Sequence, residues 1–276
     1  MGFAVPAQKS NRPLVMGANH VVAAGHYLSA LAGLAMLDAG GNAVDAGVAA
    51  AIATGVLEGT HVSVAGVAPI ITRMAETGVV ETISGLGCWP AAATAEYFRR
   101  YHGGKIPVGV GRTVVPAAPD AWITALERHG TMSFADVAAP AIRIAREGFP
   151  AHAFMAAFIR KNRALIERFP STAAIYLPGG RPPDMGDLFV QSDLAASLQY
   201  MADEEQAQAR LGRERGLASA RAAFYRGDIA AKILAFHREQ GGLLSARDLA
   251  DFRVGIEPPV EGSFGDLTVW TCGPWC

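Results

Sequence analysis

The sequence predicts a helix-rich α+β protein, and the whole chain is expected to belong to a single domain. Two observations lead to this fold class. Long segments place apolar residues at three- and four-residue steps, and short β-branched segments occur between residues 61 and 85 and again from residue 267. With 276 residues, 51% of them hydrophobic, the chain can bury a sizeable core. No internal repeat or long linker divides it.

The first two helices are predicted around a pair of glycines. Apolar residues recur with a helical period over residues 25–37, and Gly40 and Gly41 are suited to end that helix. An alanine-rich helix follows over residues 42–56. Its small side chains allow other elements to approach closely, so we expect it at the centre of the fold. Because this run contains Asp45, a buried helix is favoured over a membrane span.

Two neighbouring strands are predicted next. Segments 61–75 and 79–85 are rich in β-branched residues and are interrupted by glycine. The intervening residues 76–78, Glu-Thr-Gly, fit the turn of a hairpin. We therefore expect these strands to lie side by side, and a further strand to begin the segment 267–276.

The rest of the chain is predicted to be mostly helical. Ser133 is a favourable cap and Gly148 a favourable end for one of these helices. Segment 170–187 is dense in proline and glycine, which predicts a surface loop, and the charged residues 203–215 are expected to form a solvated face. The predicted helical segments are 90–104, 118–130, 131–150, 152–168 and 192–242.

Composition excludes several classes of partner. The formal net charge is -1 and no basic block occurs, so we expect neither nucleic-acid nor membrane binding. The first 20 residues lack a charged segment followed by an apolar run, and Pro6 does not fit myristoylation at Gly2. Three cysteines in so long a chain argue against a disulfide framework, which favours a cytoplasmic location.

The usual cofactor and metal motifs are incomplete. Three residues separate Cys272 from Cys276, one more than in a thioredoxin-type dithiol. Gly109 and the glycine two residues later lack the third glycine of a dinucleotide loop. His20 and His26 are too far apart for one helical metal face, so we expect no metal and no cofactor.

The segment "ISGLGCWPAAAT", residues 83–94, contains the one cysteine that invites a catalytic interpretation. Its pattern predicts a tight turn followed by a helix that starts at Pro90 and Ala91. As a nucleophile, Cys88 would need an exposed position and a base within hydrogen-bond reach. The sequence places neither, so a small buried hydrophobic role is favoured for this residue taken alone.

Several segments resemble the γ-glutamyltransferase family. The closest in pattern is "LDAGGNAVDAGVAAAIATGVLEGTH", and the resemblance continues in order through "ALERHGTMSFADVAAPAIRIAREGFP", "YLPGGRPPDMGDLFVQSDLAASL" and "GGLLSARDLADFRV". Almost the whole chain is covered. By this resemblance residues 1–276 correspond to a large (α) subunit, which is expected to be incomplete without a small subunit.

The resemblance implies a four-layer αββα fold of the N-terminal-nucleophile hydrolases. This chain would supply the helix-rich large subunit and part of the sheets. In that family a precursor cuts itself, and a threonine at the new amino terminus of the small (β) subunit attacks an amide, with its own α-amine as base. No segment here matches the region that carries this threonine. The implied catalytic residue therefore lies in the partner and not in this chain.

The resemblance also suggests which residues face the substrate. It places Leu86 where the true transpeptidases carry an arginine that holds the glutamyl α-carboxylate, a pairing that leucine does not make. We therefore expect Leu86, Gly87, Cys88 and Trp89 to form the wall of a pocket for a small-molecule amide without that carboxylate. Cys88 would then stand beside the chemistry without performing it.

Two alternatives remain open from the sequence. An authentic γ-glutamyl transpeptidase would take its carboxylate-binding cation from elsewhere, for example from Arg73 or Arg112. A truncated, non-catalytic paralogue would act as a binding or scaffold protein. A large exposed apolar surface on the isolated chain would count against this second alternative, because it would indicate a missing part of the core.

Overall fold

The computed structural model describes residues 14–276. The predictions about Gly2 and Pro6 lie outside this range. The helices are α1 Tyr27–Asp38, α2 Ala43–Leu57, α3 Ala95–His102, α4 Ala118–His129, α5 Phe134–Glu147, α6 Ala153–Lys161, α7 Arg163–Ile166, α8 Pro170–Tyr176, α9 Ser192–Ala207, α10 Arg213–Tyr225, α11 Asp228–Gln240 and α12 Ala246–Asp251. The strands are β1 Ile70–Arg73, β2 Val80–Ile83, β3 Phe149–Pro150, β4 Leu188–Phe189, β5 Ile256–Glu257, β6 Val260–Phe264 and β7 Leu267–Thr271.

Helix α2 lies at the centre of the helical part, as its small residues predict. It packs against α1, α4 and α5, while α9 packs against both α5 and α10. Ala49, Ile52 and Ala53 are fully buried. A reciprocal cap begins the helix, because Asn42 Oδ1 accepts from the backbone N–H of Val44 and Asp45 Oδ2 accepts from that of Asn42. The same Asp45 carboxylate accepts from the loop that precedes α5, which ties the two helix starts together.

The predicted hairpin is present, but its first strand is shorter than expected. Strands β1 and β2 are antiparallel, with Ile70 opposite Ile83 and Arg73 opposite Val80. Residues 61–69 form turns and irregular structure instead of strand. Strand β5 joins the other side of β2, so the sheet order is β1-β2-β5 and β1 is an edge strand.

Three local predictions need correction at particular residues. The helix predicted over residues 152–168 breaks at Asn162, whose side chain donates to the carbonyl of Phe158 and competes with the helical ladder. The expected loop 170–187 begins with α8, since Pro170 occupies the first helical position, where its missing N–H costs nothing. The charged stretch 203–215 is not wholly solvated, because Glu205 is only 4% exposed.

Strands β6 and β7 form a separate two-stranded sheet with one apolar face. The pairing sets Val260 opposite Thr271, Gly262 opposite Val269, and Phe264 opposite Leu267, so these residues share a face. Phe264 is 75% exposed and Leu267 61% exposed. The described part of the chain therefore leaves this apolar face uncovered. Within residues 14–276, none of the helices has the length and apolar character needed to cross a lipid bilayer.

Candidate functional site

The segment with the predicted site residues has no regular secondary structure, and Gly85 within it has a φ of 51°. Residues 84–90 continue from β2 without regular structure, and the turn comes later, where the N–H of Ala93 donates to the carbonyl of Pro90 at 2.8 Å. Helix α3 begins at Ala95 with Thr94 as its cap, so the helix start expected at Pro90 was wrong.

Backbone hydrogen bonds fix this segment between two neighbours. The N–H of Ala68 donates to Gly85 O at 2.8 Å, and the N–H of Val115 donates to Cys88 O at 2.8 Å. The glycines permit the close approach, since a Cβ on Gly87 would lie 2.0 Å from Val115 O. A Cβ on Gly85 would meet Ala68 O at the same distance. The segment therefore has no room for side chains at these two positions.

The four predicted site residues differ in exposure. Leu86 and Gly87 are half-buried, whereas Cys88 and Trp89 are exposed. The Trp89 ring packs edge-on against Phe98 of α3, with 5.9 Å between the ring centres. The backbone of Gly87 and Cys88 packs closely against residues 114–115, so these two site residues share one neighbouring segment.

The Cys88 thiol lacks the features of an activated nucleophile. Burial raises its pKa above the ordinary value, the nearby carboxylate of Asp248 raises it further, and only a hydrogen bond from its own backbone opposes this. A reactive cysteine needs the opposite environment, in which a cation or helix N-terminus lowers the thiol pKa. All three cysteines lie among the described residues and are free thiols.

Neither arginine of the alternative hypothesis lies against Leu86 in the described structure. Arg73 is exposed at the end of β1, where it pairs with Val80 at the opposite end of the hairpin from residue 86. Arg112 lies in a 3-10 turn, Val110–Arg112, and its Nε donates to Pro107 O at 3.1 Å.

A buried ion-pair network that includes Asp120 contacts the backbone next to residues 84–90. Asp120 is fully buried, and its Oδ2 accepts from the N–H of Val254 at 2.7 Å. The next residue, Gly255, bonds with Ser84. On the other side, Tyr225 Oη donates to Pro116 O at 2.7 Å. Burial raises the pKa of Tyr225 far above its usual range, and the Asp120 carboxylate raises it further. The Tyr225 hydroxyl therefore stays protonated.

Sequence reasoning missed this network. Arg221 donates to Asp120 and, through two nitrogens, to Glu127. The partners lie about a hundred positions apart in sequence, as the separation of 101 for Arg221 and Asp120 illustrates. The available signal is weak: Asp120 lies in the apolar first half of a predicted helix, where a charge requires a partner.

Residues 86–89 line neither of two cavities in the described structure. The larger, about 910 Å³, is bounded by the open face of α2 and by β1, and Ala68 lines its end. The smaller, about 550 Å³, is lined by parts of α3, the 107–113 loop, the start of α8 and the end of α11. Among the described residues no group of three or more His, Cys, Asp or Glu side chains has the arrangement of a metal site.

Comparison with known proteins defines the family. The γ-glutamyltranspeptidase family profile matches residues 29–276. The Acylase ACY 1 proenzyme of a Pseudomonas species is 34% identical over 258 residues, which cover 90% of this chain and 43% of that protein. The glutathione hydrolase-like YwrD proenzyme of Bacillus subtilis is 31% identical, over 94% of this chain and 47% of that protein. The chain belongs to the γ-glutamyltranspeptidase family and spans less than half of the length of these relatives.

Solved structures share the fold. The γ-glutamyltranspeptidase of Helicobacter pylori aligns with a TM-score of 0.83 at 24% identity, over 95% of this chain and 72% of that chain. A cephalosporin acylase from Bacillus halodurans aligns with a TM-score of 0.76 at 30% identity, over 88% of this chain and 44% of that chain. The α+β class, predicted from the sequence pattern, and the N-terminal-nucleophile hydrolase fold, expected from the resemblance, are thereby confirmed.

Proposed function

We propose that this chain is the large subunit of an amidohydrolase of the γ-glutamyltranspeptidase family. A small subunit would carry the threonine that attacks the amide and forms an acyl-enzyme, which is released to water or to an acceptor amine. The observation that carries this proposal is the family match over residues 29–276. Its support includes relatives named as proenzymes, a term for chains that require processing.

Exposed apolar surface supports the need for a second chain. The face of α2 toward the larger cavity carries the exposed Ala43 and Gly47, and β1 presents an unpaired edge. On the β6–β7 sheet, Phe264 and Leu267 point their side chains into solvent. Monomeric proteins rarely leave so much apolar surface open, which argues against a self-sufficient scaffold protein.

We propose a substrate that lacks the glutamyl α-carboxylate. Leucine at position 86 offers no charge to a carboxylate, Arg73 lies at the far end of the β1–β2 hairpin, and Arg112 Nε donates to Pro107 O. A carboxylate that is desolvated without a partner loses on the order of several kcal/mol of binding free energy. The acylase name of a relative that is 34% identical favours the same conclusion. Residues 86–89 would form the wall along which the acyl group lies.

An authentic glutathione hydrolase is the second candidate. The observation that favours it is the Schizosaccharomyces pombe glutathione hydrolase proenzyme 1, which is 30% identical over 97% of this chain and 40% of that protein. Arg73 lines the larger cavity and would be the carboxylate-binding cation in this case. On cysteine usage we place either form of the enzyme in the cytoplasm.

The experiment combines maturation with a substrate pair. The full-length gene product is purified and its chains are measured by intact mass and amino-terminal sequencing. A smaller chain that begins with threonine supports the hydrolase. Release of p-nitroaniline is then compared for γ-glutamyl-p-nitroanilide and butyryl-p-nitroanilide. Preference for the butyryl compound supports the proposed substrate class, preference for the glutamyl compound supports the second candidate, and an unprocessed chain without either activity overturns both.

A further inference from the structure

The smaller cavity contains a buried histidine with one nitrogen unused. His237 lies in the last turn of α11, is 5% exposed and lines the cavity. Its Nδ1 accepts from the backbone N–H of Leu244 at 3.4 Å. Among the described residues its Nε2 has no hydrogen-bond partner, and that atom is not sealed from solvent. Because that atom is accessible and His237 lines the cavity, a ligand in the cavity can reach the free nitrogen as a hydrogen-bond partner.

The proton of this histidine is on the unused nitrogen. Burial lowers the pKa of His237 below its ordinary value, so the ring is neutral at neutral pH. Because Nδ1 accepts a hydrogen bond, the single ring proton of the neutral form belongs on Nε2. His237 therefore presents one N–H donor to the cavity and contributes no positive charge.

Aromatic rings flank the donor. Tyr97, Phe169 and Phe236 line the cavity from three different elements. The Phe169 ring rests against Gly109, where a Cβ would lie 2.9 Å from the ring. Gly109 has a φ of 105°, which L side chains rarely adopt, so the close approach of the ring is built into the backbone. Such rings bind a flat ligand by offset or edge-to-face packing.

The side chains that line this cavity are mostly uncharged. Among the described residues that bound the cavity there is no Lys, Arg, Asp or Glu, although His102 is a second histidine of the lining. Hydroxyl and amide groups are supplied by Thr113, Ser171, Thr172 and Gln240. A ligand with a net charge would lose its hydration without gaining a counter-charge. The volume of about 550 Å³ lies within the range of small-molecule sites.

We propose that this cavity is a binding site for a small, uncharged aromatic molecule that carries a hydrogen-bond acceptor. The acceptor binds His237 Nε2–H, and the ring packs against Phe169. An aryl amide has this chemistry, with its N–H groups free to donate to the hydroxyl and amide oxygens of the lining. The proposal goes beyond the amidohydrolase reaction and does not depend on it, because binding is measured without turnover.

The test uses three ligands of nearly equal shape. Benzamide, benzoate and benzamidine carry charges of 0, −1 and +1 at pH 7.5, and their binding to the full-length gene product is measured by ligand-observed NMR titration. Benzamide is expected to bind at least about tenfold more tightly than either charged isostere. Equal affinities for the three, or no saturable binding of benzamide, would overturn the proposal.

Variants locate the site. His237→Asn keeps an acceptor near the Nδ1 position for Leu244 but removes the Nε2 donor, and is expected to lower benzamide affinity about tenfold. His237→Gln places an N–H near the Nε2 position and should recover most of that loss. Ser171→Trp fills the cavity from an exposed position that leaves the core intact, and should abolish binding. Unchanged affinity in the folded Trp variant contradicts the proposal even where the His237 variants fail to fold.

Discussion

Arg221 Nε lies 2.5 Å from Asp120 Oδ1, and this ion pair joins α10 to α4 in the interior. The Asp120 side chain is fully buried and that of Arg221 is 13% exposed. Because Asp120 also accepts from the N–H of Val254, the pair orders two stretches of backbone that flank residues 84–90. Its charges are compensated only as long as both partners remain.

Removing the arginine is therefore expected to destabilise the protein strongly. Arg221→Met leaves the Asp120 carboxylate buried without its cation, which costs about 3–5 kcal/mol in the free energy of unfolding. The measurement is urea unfolding followed by circular dichroism. The control is Arg247→Met, which removes an ion pair whose arginine side chain is 90% exposed, and should change stability by less than about 0.5 kcal/mol. Similar effects of the two substitutions would contradict the role given to the network.

Residue 86 is expected to set the substrate class. Leu86→Arg supplies the cation that the family resemblance places at this position, and should raise kcat/KM for γ-glutamyl-p-nitroanilide about tenfold or more, since a paired carboxylate is worth several kcal/mol. Activity on butyryl-p-nitroanilide should fall. Leu86→Met conserves size and charge and serves as the control.

Substitution of Arg73 and Arg112 distinguishes the glutathione hydrolase hypothesis from the hypothesis of a substrate without the glutamyl carboxylate. If Arg73 or Arg112 binds the glutamyl carboxylate, Arg73→Met or Arg112→Met raises KM for the glutamyl substrate alone. Unchanged kinetics in both variants support Leu86 as the determinant.

The backbone of the 84–90 segment should matter more than its thiol. Gly87→Ala introduces a Cβ that would lie 2.0 Å from Val115 O, so the segment must shift. We expect activity to fall at least about tenfold, because displacements of about 1 Å near a reacting centre have effects of this size or larger. Cys88→Ala, one residue away, removes only an exposed thiol with a raised pKa and should leave activity within about twofold. Loss of activity in the cysteine variant would restore Cys88 as a catalytic candidate.

Glu81 gives a pH-dependent contribution to stability. Hydrogen bonds from Arg128, at 2.8 Å and 2.5 Å, lower its pKa, burial opposes this, and His129 at 3.0 Å adds to the lowering. A lowered folded-state pKa stabilises the protein above the unfolded-state value of 4.5, and the contribution is lost as pH falls through the folded-state pKa.

The corresponding measurement compares unfolding at pH 7 and pH 3. Glu81→Gln should cost up to about 1 kcal/mol at pH 7, since the Arg128 side chain is 40% exposed and solvent screens the pair. The difference from the natural protein should shrink at pH 3. Glu76→Gln, in the exposed turn of the same hairpin, should show little effect at either pH. A constant penalty for Glu81→Gln at both values would refute the linkage.

Local patterns predicted most of the fold, and long-range pairs account for what they missed. The cap formed by Asn42 and Asp45 involves residues three apart, so the sequence displays it directly. The pairing of Asp120 with Arg221 requires two helices to meet, and no local pattern records that. Glu205 was assigned to solvent for the same reason, because its partner is the N-terminus of α5 at Phe134, 71 residues earlier.

The assignment of residues 86–89 to the site stays a prediction, and the expected shape of their segment was wrong in part. The sequence suggested a tight turn within residues 83–94, and the hydrogen-bonded turn lies at residues 90–93, whereas hydrogen bonds from Ala68 and Val115 hold the backbone at residues 85 and 88. His237 could have been noticed from its position, since it follows Ile233 by four residues on the inward face of α11. A polar residue on such a face calls for a partner, but only the fold shows that a cavity supplies the space.

The β6–β7 sheet makes the order of synthesis important. The helices contact sequence neighbours such as α1 with α2 and α9 with α10, and such local contacts form quickly. A lone two-stranded sheet is marginal in water, and the uncovered apolar face at Phe264 and Leu267 invites association with other nascent chains. The helical part would thus fold before another layer packs on the apolar face of the β6–β7 sheet. Until it is covered, this exposed apolar face favours aggregation of the newly made chain.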